Sequence, residues 1–175
     1  MMARALYDPV DRLGVYKRLE DVPDRYRLSV FGSAYEGRDV WVEYLDDDVL
    51  PRLTSDRHEK DVRRYGRRWK QHLAEHCDGR HHALADPEHI EAWSAALLER
   101  FSLRQAYAHW IAIERFYTWL LTHTGHQHHV YQPFWMAAAH EGSAAWELFE
   151  QKKRRTGTAK KKTTTKTDAK TGGEK

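Results

Sequence analysis

The chain has 175 residues, 41% of them hydrophobic and including seven Trp, nine Tyr and five Phe, which suits one aromatic-rich core with appendages. A single cysteine, Cys77, excludes an intrachain disulfide and a cysteine-based zinc ribbon, and no apolar run has the length of a signal peptide or membrane helix, so a soluble cytoplasmic protein is expected. The net charge of +3 is unevenly split: residues 151–175 hold ten basic and two acidic residues, whereas residues 1–150 hold 19 and 24, with 16 arginines to three lysines.

Nearly every segment reads as helix. Strand-like alternation is absent, and the one Asp-Gly pair, in "CDGR", lies between helical patterns. The first predicted helix lies in "EDVPDRYRLSVFGSAYEG", with Asp21 as cap, Pro23 in its first turn, Tyr26, Val30, Phe31 and Ala34 on one face, and Gly37 as stop. The second, "RDVWVEYLDDDVLPRL", places Val40, Trp41, Tyr44 and Leu45 together and ends at Pro51. Residues 20–50 carry nine acids and three arginines.

A long third helix, "TSDRHEKDVRRYGRRWKQHLAEHC", is capped by Thr54 or Ser55, and Val62, Tyr65, Trp69, Leu73 and His76 recur at helical spacing. Gly66 lies inside it at a cost of ~1 kcal/mol against alanine, the mark of a bend or a close contact. Gly79 fits its end. "ADPEHIEAWSAALLERF" follows, with Asp86 as cap, Pro87 at the first helical position and a stripe of Ile90, Trp93, Leu97 and Phe101. Ser102 and Gln105 form a capping-box pattern opening the central helix, whose stripe is Leu103, Tyr107, Trp110, Ile113, Tyr117, Leu120 and Leu121, closed by Gly125. A last helix, broken near Gly142, covers "PFWMAAAHEGSAAWELFEQKKRR". The expected fold class is all-α, an orthogonal multi-helix bundle. Its domains are an acidic helical extension over 1–53, a helical body over 54–150 and a disordered lysine-rich tail over 151–175, with nothing apolar to bury from Thr156 on.

From Thr54 to Phe134 the succession resembles the N-terminal core-binding domain of tyrosine recombinases, the SAM-like domain of phage integrases. The resemblance rests on "TSDRHEKDVRRYGRRWKQHL", then "ADPEHIEAWSAALLER", then the capped "SLRQAYAHWIAIERFYTWLLTHTG" and the later Pro133. It covers about 80 residues and no single motif carries it. The family's two arginines, histidine-bearing box and tyrosine nucleophile lie in a separate C-terminal domain. Here no tyrosine follows Tyr131. The resemblance therefore implies a DNA-gripping fold without recombinase activity, in which the arginine helix and the later capped helix straddle a duplex.

Seven basic residues against two acids between Arg57 and Lys70 point to phosphate binding, because guanidinium forks match phosphate oxygens. The first expected contact row is Thr54, Arg57, Lys60, Arg63, Arg64, Arg67, Arg68 and Lys70. The second, after the resemblance, is Ser102, Arg104, Gln105 and His109. The bland alternative is a solvated face that pairs with the acidic segment 20–50. The tail, beginning with Lys152, Lys153, Arg154 and Arg155, is a sequence-independent polycation whose seven or eight phosphate contacts would give a salt slope of about six to seven.

Twelve histidines are several times ordinary usage, and His123, His126, His128 and His129 cluster in "HTGHQHH", with His81 and His82 adjacent. Structural zinc favours spaced pairs with sulfur donors, and His58–Glu59 lacks the second histidine of H-E-x-x-H, so the cluster reads as a polar loop and no metal is expected. Tyr107, Trp110, Phe116, Tyr117 and Trp119 read as core rather than as base-stacking platforms, with Phe116 and Trp119 lying off the main stripe as a candidate partner surface. Cys77 has no identifiable catalytic partner. No phosphate loop, dinucleotide fingerprint or hydrolase elbow occurs, so no cofactor, small-molecule substrate or enzymatic activity is expected. The functional expectation is non-catalytic, nucleoid-associated binding of double-stranded DNA. The alternative is an adapter whose acidic helices contact a recombinase, another DNA-bound protein or a second copy of the chain.

Overall fold

The computed structural model describes residues 16–155. Those residues form seven α-helices and no strand, and no helix among them is long and apolar enough to cross a membrane. The short α1 (Gly32–Tyr35) and α2 (Val40–Tyr44) precede three long helices: α3 (Asp56–His76), α4 (Pro87–Arg100) and α5 (Leu103–Thr122). After a histidine-rich loop come α6 (Pro133–Ala138) and α7 (144–155), separated by a break where Gly142 has φ +83°.

The central position of α5 follows from its sequence. Tyr107, Trp110, Ile113, Tyr117, Leu120 and Leu121 are all buried, and α2, α3, α4 and α6 pack around it. Two expectations about this helix fail. Leu103 is exposed, and Phe116 is fully buried against Trp41, Tyr44 and Tyr117. Phe116 is therefore not a partner surface; α2 covers the side of α5 that the single-stripe reading left open. The helix also ends at Thr122, capped by His123, three residues before Gly125.

Caps fix the other long helices as expected. The Ser55 hydroxyl, not Thr54, accepts the His58 amide, and at α4 the Asp86 and His89 side chains form a reciprocal box behind Pro87. At α5 the Ser102 hydroxyl accepts the Gln105 amide at 3.4 Å. On α3, His76 is exposed and His72 takes the buried place beside Leu73.

Gly66 resolves into a close contact rather than a bend. The Trp41 indole of α2 lies directly on its backbone, and a methyl built there would fall within 2.7 Å of Trp41 Cδ1 and overlap Cε2 and Nε1.

The first predicted helix is not continuous. Residues 19–31 form three 3₁₀ turns, Leu19–Asp21, Asp24–Tyr26 and Leu28–Phe31, and only Gly32–Tyr35 is α-helical. Their caps have no side-chain hydrogen bonds, so nothing local propagates a helix. Tertiary bonds hold the segment instead: the Leu28 amide donates to Tyr131 Oη at 2.7 Å, and that hydroxyl donates to Asp86 at 3.3 Å. The second predicted helix buries Val40, Trp41, Tyr44 and Leu45 as expected, but its α2 core passes into a π-turn over Leu45–Val49 before Pro51.

Residues 151–155 continue α7, as the helix reading through "QKKRR" expected, and Lys152 bonds Glu114 Oε1 at 2.9 Å on α5. Glu114 is 2% exposed and also accepts Trp135 Nε1 at 3.0 Å. Arg155 lies over the Tyr107 ring at 4.4 Å. Lys152→Ala is expected to remove this partner from the buried Glu114 and, because the Lys152 side chain is 39% exposed, to destabilise the chain by only about 1–2 kcal/mol, measured as a lowered denaturation midpoint. The expected disorder from Thr156 on lies outside the described residues.

Candidate nucleic-acid interface

Arg57, Arg64 and Arg68 of the first row and all four members of the second line one cleft. Arg57, Arg64, Tyr65 and Arg68 of α3 face Phe101, Ser102, Arg104, Gln105, Ala108 and His109 across a volume of about 670 Å³. Four arginines line it and no carboxylate does. The capped first turn of α5 supplies Ser102, Arg104 and Gln105 to the other wall.

Arg68 is the centre of this arrangement. Its guanidinium lies 5.0 Å over the Phe101 ring, and Nη1 donates to His109 Nε2 at 2.6 Å. His109 donates from Nδ1 to the Gln105 carbonyl at 2.7 Å, which leaves Nε2 as the acceptor in the neutral ring. Burial keeps His109 below the ordinary imidazole range, and Arg68, Arg64 and Arg100 reinforce that against the Gln105 carbonyl. Burial, and then Arg64 and Arg100, likewise lower the affinity of Arg68 for its proton, although an arginine remains charged. The cation at the cleft floor is thus held by a neutral ring, and its charge is not cancelled.

The remaining predicted residues divide. Arg57, Lys60, Arg67 and Arg104 have no carboxylate partner among the described residues, while Arg64 pairs with Asp61 at 2.6 Å and Arg63 with Glu59 at 2.8 Å. Lys70 is drawn away from the cleft: it bonds both Asp39 oxygens, at 2.6 and 2.7 Å. Burial pushes the Asp39 carboxyl upward, but the Lys70 bonds outweigh it and leave the group below its usual range. For this lysine the pairing with the acidic segment is realised. His109 is 3% exposed with both ring nitrogens engaged, so in this structure it holds Arg68 in place. Thr54 is exposed beyond the helix cap. Lys152 serves Glu114, Lys153 pairs with Glu150 at 2.9 Å and Arg154 is engaged, so the start of the predicted tail is spent on the fold. Many acids of the segment are also used within the chain: Glu43 pairs with Arg38, Asp48 with Arg52, and Asp47 accepts Trp119 Nε1.

The histidine-rich loop is a loop, as expected, with His128 exposed, but two of its histidines are buried. His126 and His129 are each 3% exposed, and Tyr35 Oη lies 2.9 Å from His126 Nδ1 and 3.2 Å from His129 Nδ1. His129 Nε2 must donate to the Ala83 carbonyl at 2.7 Å, so its Nδ1 accepts from Tyr35, and Tyr35 in turn accepts from His126. His82 Nε2 accepts the Trp41 amide at 3.2 Å, and Phe31 stacks on His128 at 4.1 Å. Burial holds His82 and His129 down to about 3 and His126 to about 4, and raises Tyr35 to about 12. Composition revealed the cluster but not its burial; the partner that buries it, Tyr35, is 91 residues away from His126.

One group of three close metal-type ligands occurs among the described residues: Asp86, Glu88 and His89. Its chemistry is already committed. Asp86 caps α4, accepts from Tyr131 and lies 3.8 Å from Arg80, a cation that opposes a metal. No family model, curated protein or solved structure matches the chain.

Proposed function

We propose that this chain binds double-stranded DNA through its phosphates, in the manner that its resemblance to the SAM-like recombinase core-binding domain implies. The observation that supports this reading is the carboxylate-free arginine cleft between α3 and the start of α5, where two separate stretches of sequence meet. A phosphate seated there takes Arg68 and Arg57 from one wall and Arg104 from the other. Contacts of this kind position a protein on a duplex, and base-edge readout falls to the exposed side chains of the first α5 turn.

The test is DNA affinity of residues 1–155 and of the full chain, measured by fluorescence anisotropy at two salt concentrations. The shortened chain is expected to retain salt-dependent binding. Arg68→Ala and Arg104→Ala should each weaken binding to all sequences alike and reduce the salt slope by about one. Loss of all affinity on removing residues 156–175, with Arg68→Ala indistinguishable from the parent, would overturn the cleft as the interface.

A further inference from the structure

A groove of about 510 Å³ adjoins the arginine cleft, between the first half of α3, the middle of α5 and the turns that follow α2. Tyr44, Val49, Leu53, Val62, Tyr107 and Ile111 line it, and each is buried or half-buried. Ala108 and Ala112 of α5 are too short to fill it. Three arginines reach the same groove from three elements: Arg52, Arg115 and Arg155, all exposed. The groove therefore has an apolar floor under a cationic rim. Its one carboxylate, Asp61, is bonded to Arg64 at 2.6 Å. At the rim Arg52 is paired with Asp48, and Arg155 lies over the Tyr107 ring at 4.4 Å. Arg115 has no carboxylate partner among the described residues.

Such a groove selects on two properties at once. Hydrocarbon gains from covering the floor. The rim repels a cation and adds little for a neutral molecule, whereas a guanidinium takes a carboxylate through two parallel N–H donors. The volume falls in the range of small-molecule sites, roughly 300–1,000 Å³. We propose that this groove binds a small apolar anion, an aromatic or medium-chain aliphatic carboxylate, with its hydrocarbon on the floor and its carboxylate at Arg115. Arg52 and Arg155 add to the positive potential there. The inference does not rest on DNA binding, although Tyr65 and Ala108 line both the groove and the cleft.

The experiment is methyl NMR titration of the full chain with three probes that share one ring system: naphthoate, naphthylmethanol and naphthylmethylamine. Naphthoate should shift the methyl resonances of Val49, Leu53, Val62 and Ile111. It should bind at least about tenfold more tightly than the alcohol, with the amine weakest. Arg115→Ala, at an exposed position, should lower naphthoate affinity about tenfold and leave the affinity for the alcohol unchanged. Arg25→Ala, an exposed arginine on another element, should change neither. No naphthoate binding, equal affinity for all three probes, shifts confined to the arginine cleft, or naphthoate affinity unaffected by Arg115→Ala would each overturn the assignment. A chain that binds naphthoate as described and no DNA would keep this site and lose the DNA reading.

Discussion

Gly66→Ala is expected to destabilise the protein by about 3 kcal/mol, the upper end of the range for overpacking a tight core. The new methyl overlaps the Trp41 indole, which is 3% exposed and packed against Tyr44 and Phe116 with ring centroids 5.4 and 5.3 Å away. It has no free direction in which to move. Retreat of Trp41 would pull α2 off α3 and disturb Phe116 on α5, so one added carbon spreads over three helices. The helix-propensity gain of alanine over glycine, about 1 kcal/mol, acts in the opposite direction and is too small to compensate. A denaturant titration measures the loss. Trp41→Leu in the same chain should make the alanine less harmful, so the two changes together should cost less than their sum. Strict additivity, or a neutral Gly66→Ala, would show that the two helices can separate without penalty.

The second large effect is acid lability with its onset near neutrality. His82, His126 and His129 are held neutral in the fold, at about 3, about 4 and about 3, against an unfolded value of about 6.5. Each folded value is depressed, so the unfolded chain binds more protons once pH falls below about 6.5. Stability from these groups is fully present above that pH and is lost on descending toward the folded values. Each contributes a slope of at most about 1.4 kcal/mol per pH unit, and the three act over the same window. Stability should thus be level above pH 7 and fall steeply from about 6.5 to about 4. Tyr35→Phe removes the hydroxyl that bonds two of these rings and should cost about 1–3 kcal/mol at neutral pH by leaving them unsatisfied. Equal stability at pH 7 and pH 5 would contradict the account.

The readable parts of the fold are those whose signals are local. Ser55, Asp86 with Pro87, and Ser102 announce their helices, and the apolar spacing of Trp69, Trp93, Trp110 and Tyr117 places the core. Residues 19–31 misled because their apolar spacing resembles a helix, whereas the Leu28–Tyr131–Asp86 hydrogen bonds hold them as 3₁₀ turns. The candidate interface was legible as two rows but not as one cleft, since only the α3–α5 packing separates Arg68, which faces the cleft, from Lys70, which faces Asp39. His109 entered the second row through the resemblance, and only the packing shows both its ring nitrogens already engaged, with Arg68 and the Gln105 carbonyl.

The way α7 ends determines where the chain can be cut. A protein shortened at Glu150 keeps every apolar core residue described here, yet loses Lys152 from Glu114 and Arg155 from Tyr107. Its behaviour would mix the absence of a polycation with damage to the helix end. A cut after Arg155 leaves both anchors in place and separates the two effects. Five residues therefore decide whether a deletion experiment reports on charge or on folding.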